Sequence, residues 1–215
     1  VGIRRPVFAK NCPQSDFLNS FYTIKRLTAH QVRQLAADFE QENNPKRKVK
    51  YLDIFGSVKY PLGHEQLLKM AETAPTSRYS PVLYSALNAL SFFEAPAIRE
   101  FTLTKLANPS VAWRYAHLLV NNYRPGDDQL LLRLVEQATD ERIVERLAIS
   151  LCAIYRKNRT KKCREPLRTI YQRMNCGVHR ADVVELQLKR GVLPADVREE
   201  IPFDSYEGVR DLVVE

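Results

Sequence analysis

The residues in this sequence whose types and spacing best suit chemistry are a cysteine and a histidine near its C-terminal end. Cys176 and His179 have the C-x-x-H spacing of paired metal ligands, and Cys163 is the nearest other thiol. A predicted helix of about 12 residues separates Cys163 from Cys176, and at 1.5 Å per residue it holds them ~18 Å apart. Zinc needs each ligand within about 2.3 Å of one ion. We therefore expect these three residues to form no metal site, and the sequence predicts no catalytic residue, no cofactor and no metal.

Positive charge is the second chemical feature of the sequence. There are 33 Lys and Arg residues against 25 Asp and Glu residues, and the formal net charge of +8 favours acidic partners. Two runs concentrate this charge, one at residues 46–50 and one at residues 156–168. Such runs attract phosphate backbones without sequence specificity, but they also occur as solvated loops that only add solubility.

Several function classes have no support in the sequence. The seven glycines form neither a Gly-rich phosphate loop nor a dinucleotide-binding fingerprint. The apolar stretches are far shorter than the ~20 residues of a membrane span. Four cysteines without a dense framework spacing suit reduced thiols. We therefore expect a cytoplasmic protein with no membrane partner.

The elements that must position these residues follow an internal repeat of 32 residues. Apolar residues recur at that step in two columns of one predicted helix and in two columns of a second. The first pair of columns is Phe55, Leu87, Leu119, Leu151 and Val183, and Tyr51, Leu83, Tyr115 and Leu147. The second pair is Ala71, Leu103, Val135 and Leu167, and Ala74, Leu106, Ala138 and Ile170. Each repeat is therefore predicted to form one pair of helices.

Candidate helix caps keep the same step. Side-chain oxygens at these positions can accept hydrogen bonds from the unpaired amides of a helix start, and Pro45 and Pro109 follow two of them at the first helical position. The candidates are Asn44, Thr76, Asn108, Asp140, Gln172 and Asp204. Gln172 is the exception, because Pro166 restarts the preceding helix late and Gly177 is a better stop. The repeat therefore drifts near its C-terminal end.

The 3.6-residue apolar period and the short Pro- or Gly-containing links predict an all-α chain. The predicted helices are 29–42, 45–57, 63–74, 77–91, 95–107, 109–123, 127–138, 141–157, 164–175, 178–190, 194–202 and 205–215. No sustained period-2 alternation predicts a strand. Residues 1–28 are less regular and read as an irregular segment or cap, so the repeat domain is predicted at 29–215.

The spacing within the repeats resembles that of HEAT repeats. That family carries an acidic or amide turn residue followed five and six places later by an apolar residue and Arg, which Asp204, Val209 and Arg210 match. Asn108 with Trp113 and Arg114 matches with an amide and an aromatic residue, and Asp140 with Arg146 matches in part. Residues 176–212 also look like the ends of uncharacterised bacterial HEAT-like proteins.

The resemblance implies a right-handed α-α superhelix, or solenoid, of about five to six helix pairs, and armadillo-like relatives share that architecture. The helices that follow the caps would line its concave side, where Lys50, Arg114, Arg146 and Arg210 fall in register. In the family such an Arg commonly pairs with the turn Asp of an adjacent repeat. These residues are therefore either an internal ladder or part of a binding surface.

These observations predict a non-enzymatic scaffold or adaptor that holds a protein partner along the concave face. The alternative is a nucleic-acid-binding repeat protein that uses the basic runs. The candidate partner-binding residues are Lys46, Arg47, Lys50, Arg114, Arg156, Lys157, Arg159, Lys161, Lys162 and Arg164. A less favoured alternative is a resemblance to helical-repeat DNA base glycosylases, for which Asp53, Trp113 and Tyr115 are the nearest candidates. A continuous positive inner surface would favour nucleic acid, and apolar patches rimmed by polar groups would favour protein.

Overall fold

A computed structural model describes residues 27–75 and 80–213 of the chain, and these residues form helices joined by short links with no β-strand. The all-α prediction is therefore confirmed. None of the helices in this part of the chain is long and apolar enough to cross a lipid bilayer. The chain divides after Phe93 into two compact units, which are described separately. Most of the predicted N-terminal segment 1–28 lies outside the described residues.

The first unit contains four described helices. They are α1 (Ala29–Gln41), α2 (Pro45–Phe55), α3 (Glu65–Thr73) and α4 (Pro81–Leu90). Helix α1 begins with a capping box, in which the Thr28 side chain accepts from the Gln31 amide and the Gln31 side chain accepts from the Thr28 amide. Helix α1 packs on α2, and α4 packs on both α2 and α3.

An aromatic cluster fills the core of the first unit. The rings of Phe39, Phe55 and Tyr60 meet edge to face, with centroids 4.7 to 5.8 Å apart. All three side chains are buried, and edge-to-face packing adds stability beyond the buried area. The Ser85 hydroxyl of α4 donates to the carboxylate of Asp53 on α2. These two residues are 32 positions apart, which is the predicted repeat length, and the hydrogen bond joins α2 to α4.

The second unit contains the longer run of helices and several single turns of 3-10 helix. The α-helices are α5 (Pro96–Leu106), α6 (Pro109–Tyr115), α7 (Leu119–Asn122), α8 (Asp127–Gln137), α9 (Glu141–Lys157), α10 (Arg164–Arg173), α11 (Gly177–Arg190), α12 (Ala195–Glu200) and α13 (Glu207–Arg210). The 3-10 turns are Ala116–Leu118, Lys161–Cys163, Ile201–Phe203 and Asp211–Val213. Alternate helices lie side by side: α6 and α7 pack on α9, α9 packs on α11, and α8 packs on α10.

The predicted apolar columns are buried with few exceptions. Every member of the Phe55 column is buried, and so is every member of the Ala74 column. Tyr51 is only half-buried. Leu103 is 36% exposed, so its predicted core position is wrong. Helix α5 buries Ile98, Phe101, Thr102 and Leu106 instead, and Leu103 lies one residue beyond that helical face.

Three of the predicted caps are confirmed. Asn44, Asn108 and Asp140 each accept hydrogen bonds from amides of the helix that follows. Thr76 lies outside the described residues, and Ser80 caps α4 by accepting from the Leu83 amide. Gln172 lies inside α10, in line with the expected drift.

The last predicted helix, 205–215, is wrong in extent. Asp204 accepts from the Tyr206 amide, but α13 begins only at Glu207 and ends at Arg210. Gly208 lies in this segment and is a poor helix former, and a 3-10 turn follows. The predicted helix 109–123 is likewise interrupted by the 3-10 turn Ala116–Leu118.

Candidate binding surfaces

The first basic run lies on the opening turns of α2. Lys46 and Arg47 are exposed, and Lys50 is half-buried. The Arg47 guanidinium lies 3.7 Å from the Glu42 carboxylate, and the Lys48 ammonium lies 5.8 Å from the centre of the Phe39 ring. Two cations of this run, Arg47 and Lys48, therefore interact with side chains of the first unit.

The second basic run divides into cations that pair within the unit and cations that point outward. Arg156 pairs with Asp182 of α11 and lies 4.0 Å from Glu185. Arg168 lies 2.7 Å from Asp196, and Arg164 lies 3.8 Å from Glu165. Four cations remain that are exposed and have no acidic side chain of the described residues within 4 Å: Lys157, Arg159, Lys161 and Lys162. These four are the loop cations.

The predicted Arg ladder takes a different form in the structure. Arg210 donates to the carbonyl of Asp204 at 2.7 Å, so it closes its own turn. The Asp204 carboxylate instead receives two hydrogen bonds of 2.8 Å from Arg180. Arg99 makes the same forked contact to Asp127, at 2.7 and 2.8 Å. Burial opposes ionisation of Asp204, but the hydrogen bonds from Arg180 and the Tyr206 amide outweigh it and lower the pKa of that carboxyl.

Other arginines cover helix ends that would otherwise lack partners. Arg173 donates to the carbonyls of Val135, Glu136 and Ala138 at the end of α8. Arg190 donates to the carbonyls of Tyr155 and Arg156 at the end of α9. The last carbonyls of a helix have no partner within it, and the guanidinium carries five donors in a fixed fork. Arg173 therefore ties the end of α8 to α10, and Arg190 ties the end of α9 to α11.

A small cleft lies at the junction of α6, α8 and α9. Its volume is about 170 Å³, and its lining includes Trp113, Leu134, Ile143 and Leu147. The Arg114 guanidinium lies over the Trp113 ring, 5.2 Å from its centre. The cleft is mainly apolar, and its small volume suits a single side chain better than a large ligand.

Besides Trp113, the other two residues considered for base excision also have contacts within the fold. Asp53 accepts the hydrogen bond from Ser85 in the first unit. Tyr115 is buried in the second unit, with its ring 5.6 Å from that of Phe101. A buried ring held in this way has no free face on which a base could stack.

The exposed side of α9 carries both apolar and positively charged groups. Arg142, Arg146 and Ile149 are exposed at helical spacing on this side, and Ile149 is 45% exposed. Val178 on the neighbouring helix α11 is 56% exposed. The ion pair between Arg156 and Asp182 fixes the two helices next to each other. We give the name α9–α11 face to four exposed residues of these two packed helices: Arg142, Arg146 and Ile149 of α9, and Val178 of α11.

The structure also brings Cys176 and His179 together with a residue that the sequence analysis missed. That residue is Glu145 on α9, whereas Cys163 is buried in a 3-10 turn outside this group. Glu145 is 31 residues from Cys176, close to the predicted repeat length of 32. A search for metal ligands one repeat apart could have found it.

Comparisons of the chain with protein-family models, with curated proteins and with solved structures found no match.

Proposed function

We propose that this chain is a non-enzymatic scaffold or adaptor that binds a polypeptide partner on a HEAT-like array of stacked helix pairs. The proposal includes a right-handed superhelix with a 32-residue period. It is supported by the side-by-side packing of alternate helices in the second unit and by the buried Phe55 column. The hydrogen bond from Ser85 to Asp53, one repeat apart, supports the same register in the first unit. A helix pair cannot bury both faces alone, and stacking gives it a neighbour.

The choice of a polypeptide partner is based on the composition of the α9–α11 face. Ile149 and Val178 are exposed apolar side chains, and Arg142 and Arg146 are cations on the same side of α9. The acidic groups of α11 are offset, because Asp182 pairs with Arg156, and Glu185 pairs with Lys189 at 2.5 Å. Apolar side chains beside positive charge suit a polypeptide that presents apolar and acidic side chains.

The proposal predicts that charge placed among the apolar side chains of this face abolishes partner binding. Ile149→Asp combined with Val178→Asp would bury carboxylates against the partner's apolar and acidic groups. Binding would then be weakened by desolvation of the carboxylates and by charge repulsion. We expect capture of the partner to fall at least tenfold. Leu62→Asp is the matched control, because Leu62 is also an exposed apolar residue, at 55%.

Nucleic-acid binding is a second candidate, favoured by the loop cations alone. Lys157, Arg159, Lys161 and Lys162 are exposed on the link between α9 and α10. Four cations in so short a segment, with no acidic group of the described residues beside them, can contact phosphates in succession. Asp182 and Glu185 of α11 place negative charge beside Arg156, at the end of α9 where this link begins, so the polypeptide partner is preferred.

A salt titration tests the second candidate. Replacing Arg159, Lys161 and Lys162 by Ser should weaken binding to any duplex and make the plot of log affinity against log salt shallower by about 2.7, at 0.9 for each lost phosphate contact. Fluorescence anisotropy with one labelled duplex would measure both slopes.

The matched control removes the same charge elsewhere, with Ser at Arg33, Lys69 and Arg133, all of which are exposed. Equal slopes for the two triple variants would show that net charge alone drives binding. No binding by the parent at low salt would also exclude the nucleic-acid candidate and leave the polypeptide partner.

A further inference from the structure

Three metal-binding side chains from two neighbouring helices converge in the second unit. Cys176 immediately precedes α11, and His179 follows on its first turn. Glu145 lies on the second turn of α9, which packs along α11. A Glu145 carboxylate oxygen, the Cys176 sulfur and one ring nitrogen of His179 all lie within 4.8 Å of one another.

Among the described residues, the Cys176 sulfur, the His179 Nδ1 atom and the Glu145 carboxylate have no hydrogen bond or ion pair. Cys176 occupies the N-cap position of α11 but makes no side-chain capping bond. The Nδ1 atom of His179 is buried and has no hydrogen-bond partner among the described residues. No Lys or Arg of the described residues pairs with Glu145 within 4 Å, although Arg142 and Arg146 are close in sequence. Buried polar atoms are nearly always satisfied, so the unpaired Nδ1 of a histidine whose ring lies near a thiol and a carboxylate indicates a missing ligand.

We propose that Glu145, Cys176 and His179 bind one Zn²⁺ ion. Zinc accepts sulfur, nitrogen and oxygen ligands in a tetrahedral arrangement at about 2.0 to 2.3 Å. Ligand atoms in such a site are about 3 to 4 Å apart, so small side-chain rotations close the present spacing. A thiolate and an imidazole disfavour Mg²⁺ and Ca²⁺, which take oxygen ligands. Three protein ligands leave the fourth position to water.

The site would tie together two helices that are neighbours in the same layer. Glu145 comes from α9, and the other two ligands come from the start of α11, so the bound ion acts as a clamp between consecutive helix pairs. Because Cys and His bind zinc only after losing a proton, binding releases protons and weakens as the pH falls.

Cobalt provides the test, since Co²⁺ occupies zinc sites and its thiolate complexes absorb strongly in the near ultraviolet. The parent chain, purified with chelator and titrated with Co²⁺, should bind one ion with a sulfur-to-cobalt band, and Zn²⁺ should displace it. Cys176→Ser should lose the band. Glu145→Gln should weaken Co²⁺ binding at least tenfold. Loss of a residue that only hydrogen-bonds to a ligand lowers metal affinity by about 10- to 100-fold, and loss of a ligand itself should lower it no less.

Glu141→Gln is the matched control, because Glu141 is an exposed carboxylate on the first turn of the same helix, and it should bind like the parent. Zn²⁺ should also raise the thermal midpoint of the parent and of Glu141→Gln, but not that of Glu145→Gln, because a ligand stabilises only the fold that binds it. The proposal is wrong if the parent binds no Co²⁺ at micromolar concentration. It is also wrong if the band survives in Cys176→Ser, or if the two Glu variants bind Co²⁺ equally. Far-ultraviolet circular dichroism shows whether each variant is folded. If Cys176→Ser is unfolded, Co²⁺ binding by Glu145→Gln decides whether the proposal holds.

Discussion

Leu119→Ala and Leu151→Ala should each lower the free energy of unfolding by about 2 to 5 kcal/mol, because each removes a fully buried side chain and leaves a cavity. Both leucines are completely buried, 32 positions apart, on helices α7 and α9 that pack together. Urea unfolding followed by circular dichroism would give the midpoints and slopes for each variant.

Leu103→Ala is the matched control for this experiment. Leu103 falls in one of the repeat columns but is 36% exposed, so its loss removes less buried surface and should cost clearly less. If the two buried-site variants unfold at the parent's midpoint, or if Leu103→Ala costs as much as they do, the assignment of the core is wrong.

Asp204→Asn should have an effect of similar size, about 3 to 5 kcal/mol, because it removes one partner of a buried ion pair and leaves Arg180 uncompensated. Only 5% of the Asp204 side chain and 14% of the Arg180 side chain are exposed. Arg180 also donates to the carbonyls of Met174 and Asn175, so it connects the end of α10 to the segment before α13. Thermal or urea unfolding at pH 7 would measure the loss.

The pH dependence of the parent should follow from the same pair. The pKa of Asp204 is lower in the folded chain than its ordinary value, which is about 3.9 in an unfolded chain. Folding is therefore stabilised by the ionised carboxylate above about pH 4, and this stabilisation is lost as the pH falls through the lower folded pKa. The difference between the parent and Asp204→Asn should shrink as the pH falls below 4.

Asp196→Asn provides the matched control for the ion pair. Asp196 pairs with Arg168 at 2.7 Å, but both side chains are 40% exposed, so water and salt screen the interaction. The variant should unfold close to the parent. An equal loss for the two Asp variants would show that burial of the Asp204 pair does not determine its contribution.

The helices could be predicted from the sequence wherever local signals agree. Asn108 followed by Pro109, and Asp140 followed by an amphipathic segment, mark helix starts that the structure confirms. Capping and apolar periodicity act within a few residues, so they are visible in one sequence. The end of the chain was predicted less well, because Asp204 has a capping residue type but gives its carboxylate mainly to Arg180.

The candidate surfaces were harder to predict because they depend on contacts between helices. The second basic run is visible in the sequence, but its division into paired and outward cations is not, since Asp182 and Asp196 come from later helices. Glu145 was missed for the same reason. Its sequence neighbours are arginines, and only the packing of α9 on α11 brings it to Cys176 and His179.

The α9–α11 face could be predicted only in part. The repeat step gives Arg114, Arg146 and Arg210 as equivalent residues, but in the structure Arg210 closes a turn and Arg114 lies over the Trp113 ring. The exposure of Ile149 was not predicted, because an isoleucine in an amphipathic helix is expected in the core. Exposed apolar side chains of this kind are evident only once the neighbouring helices are in place.

The central claim, binding of a polypeptide on the α9–α11 face, is tested most directly by quantitative affinity capture. The full chain, the Ile149→Asp/Val178→Asp variant and the Leu62→Asp control would each be immobilised and exposed to extract of the source cells, both untreated and nuclease-treated. The captured proteins would be measured by mass spectrometry. We predict that the parent and the control retain the same proteins and that the double variant, folded by circular dichroism, retains them at least tenfold less, as expected for loss of a central interface contact. Equal retention by the double variant, or capture that disappears on nuclease treatment of the extract, would contradict the claim.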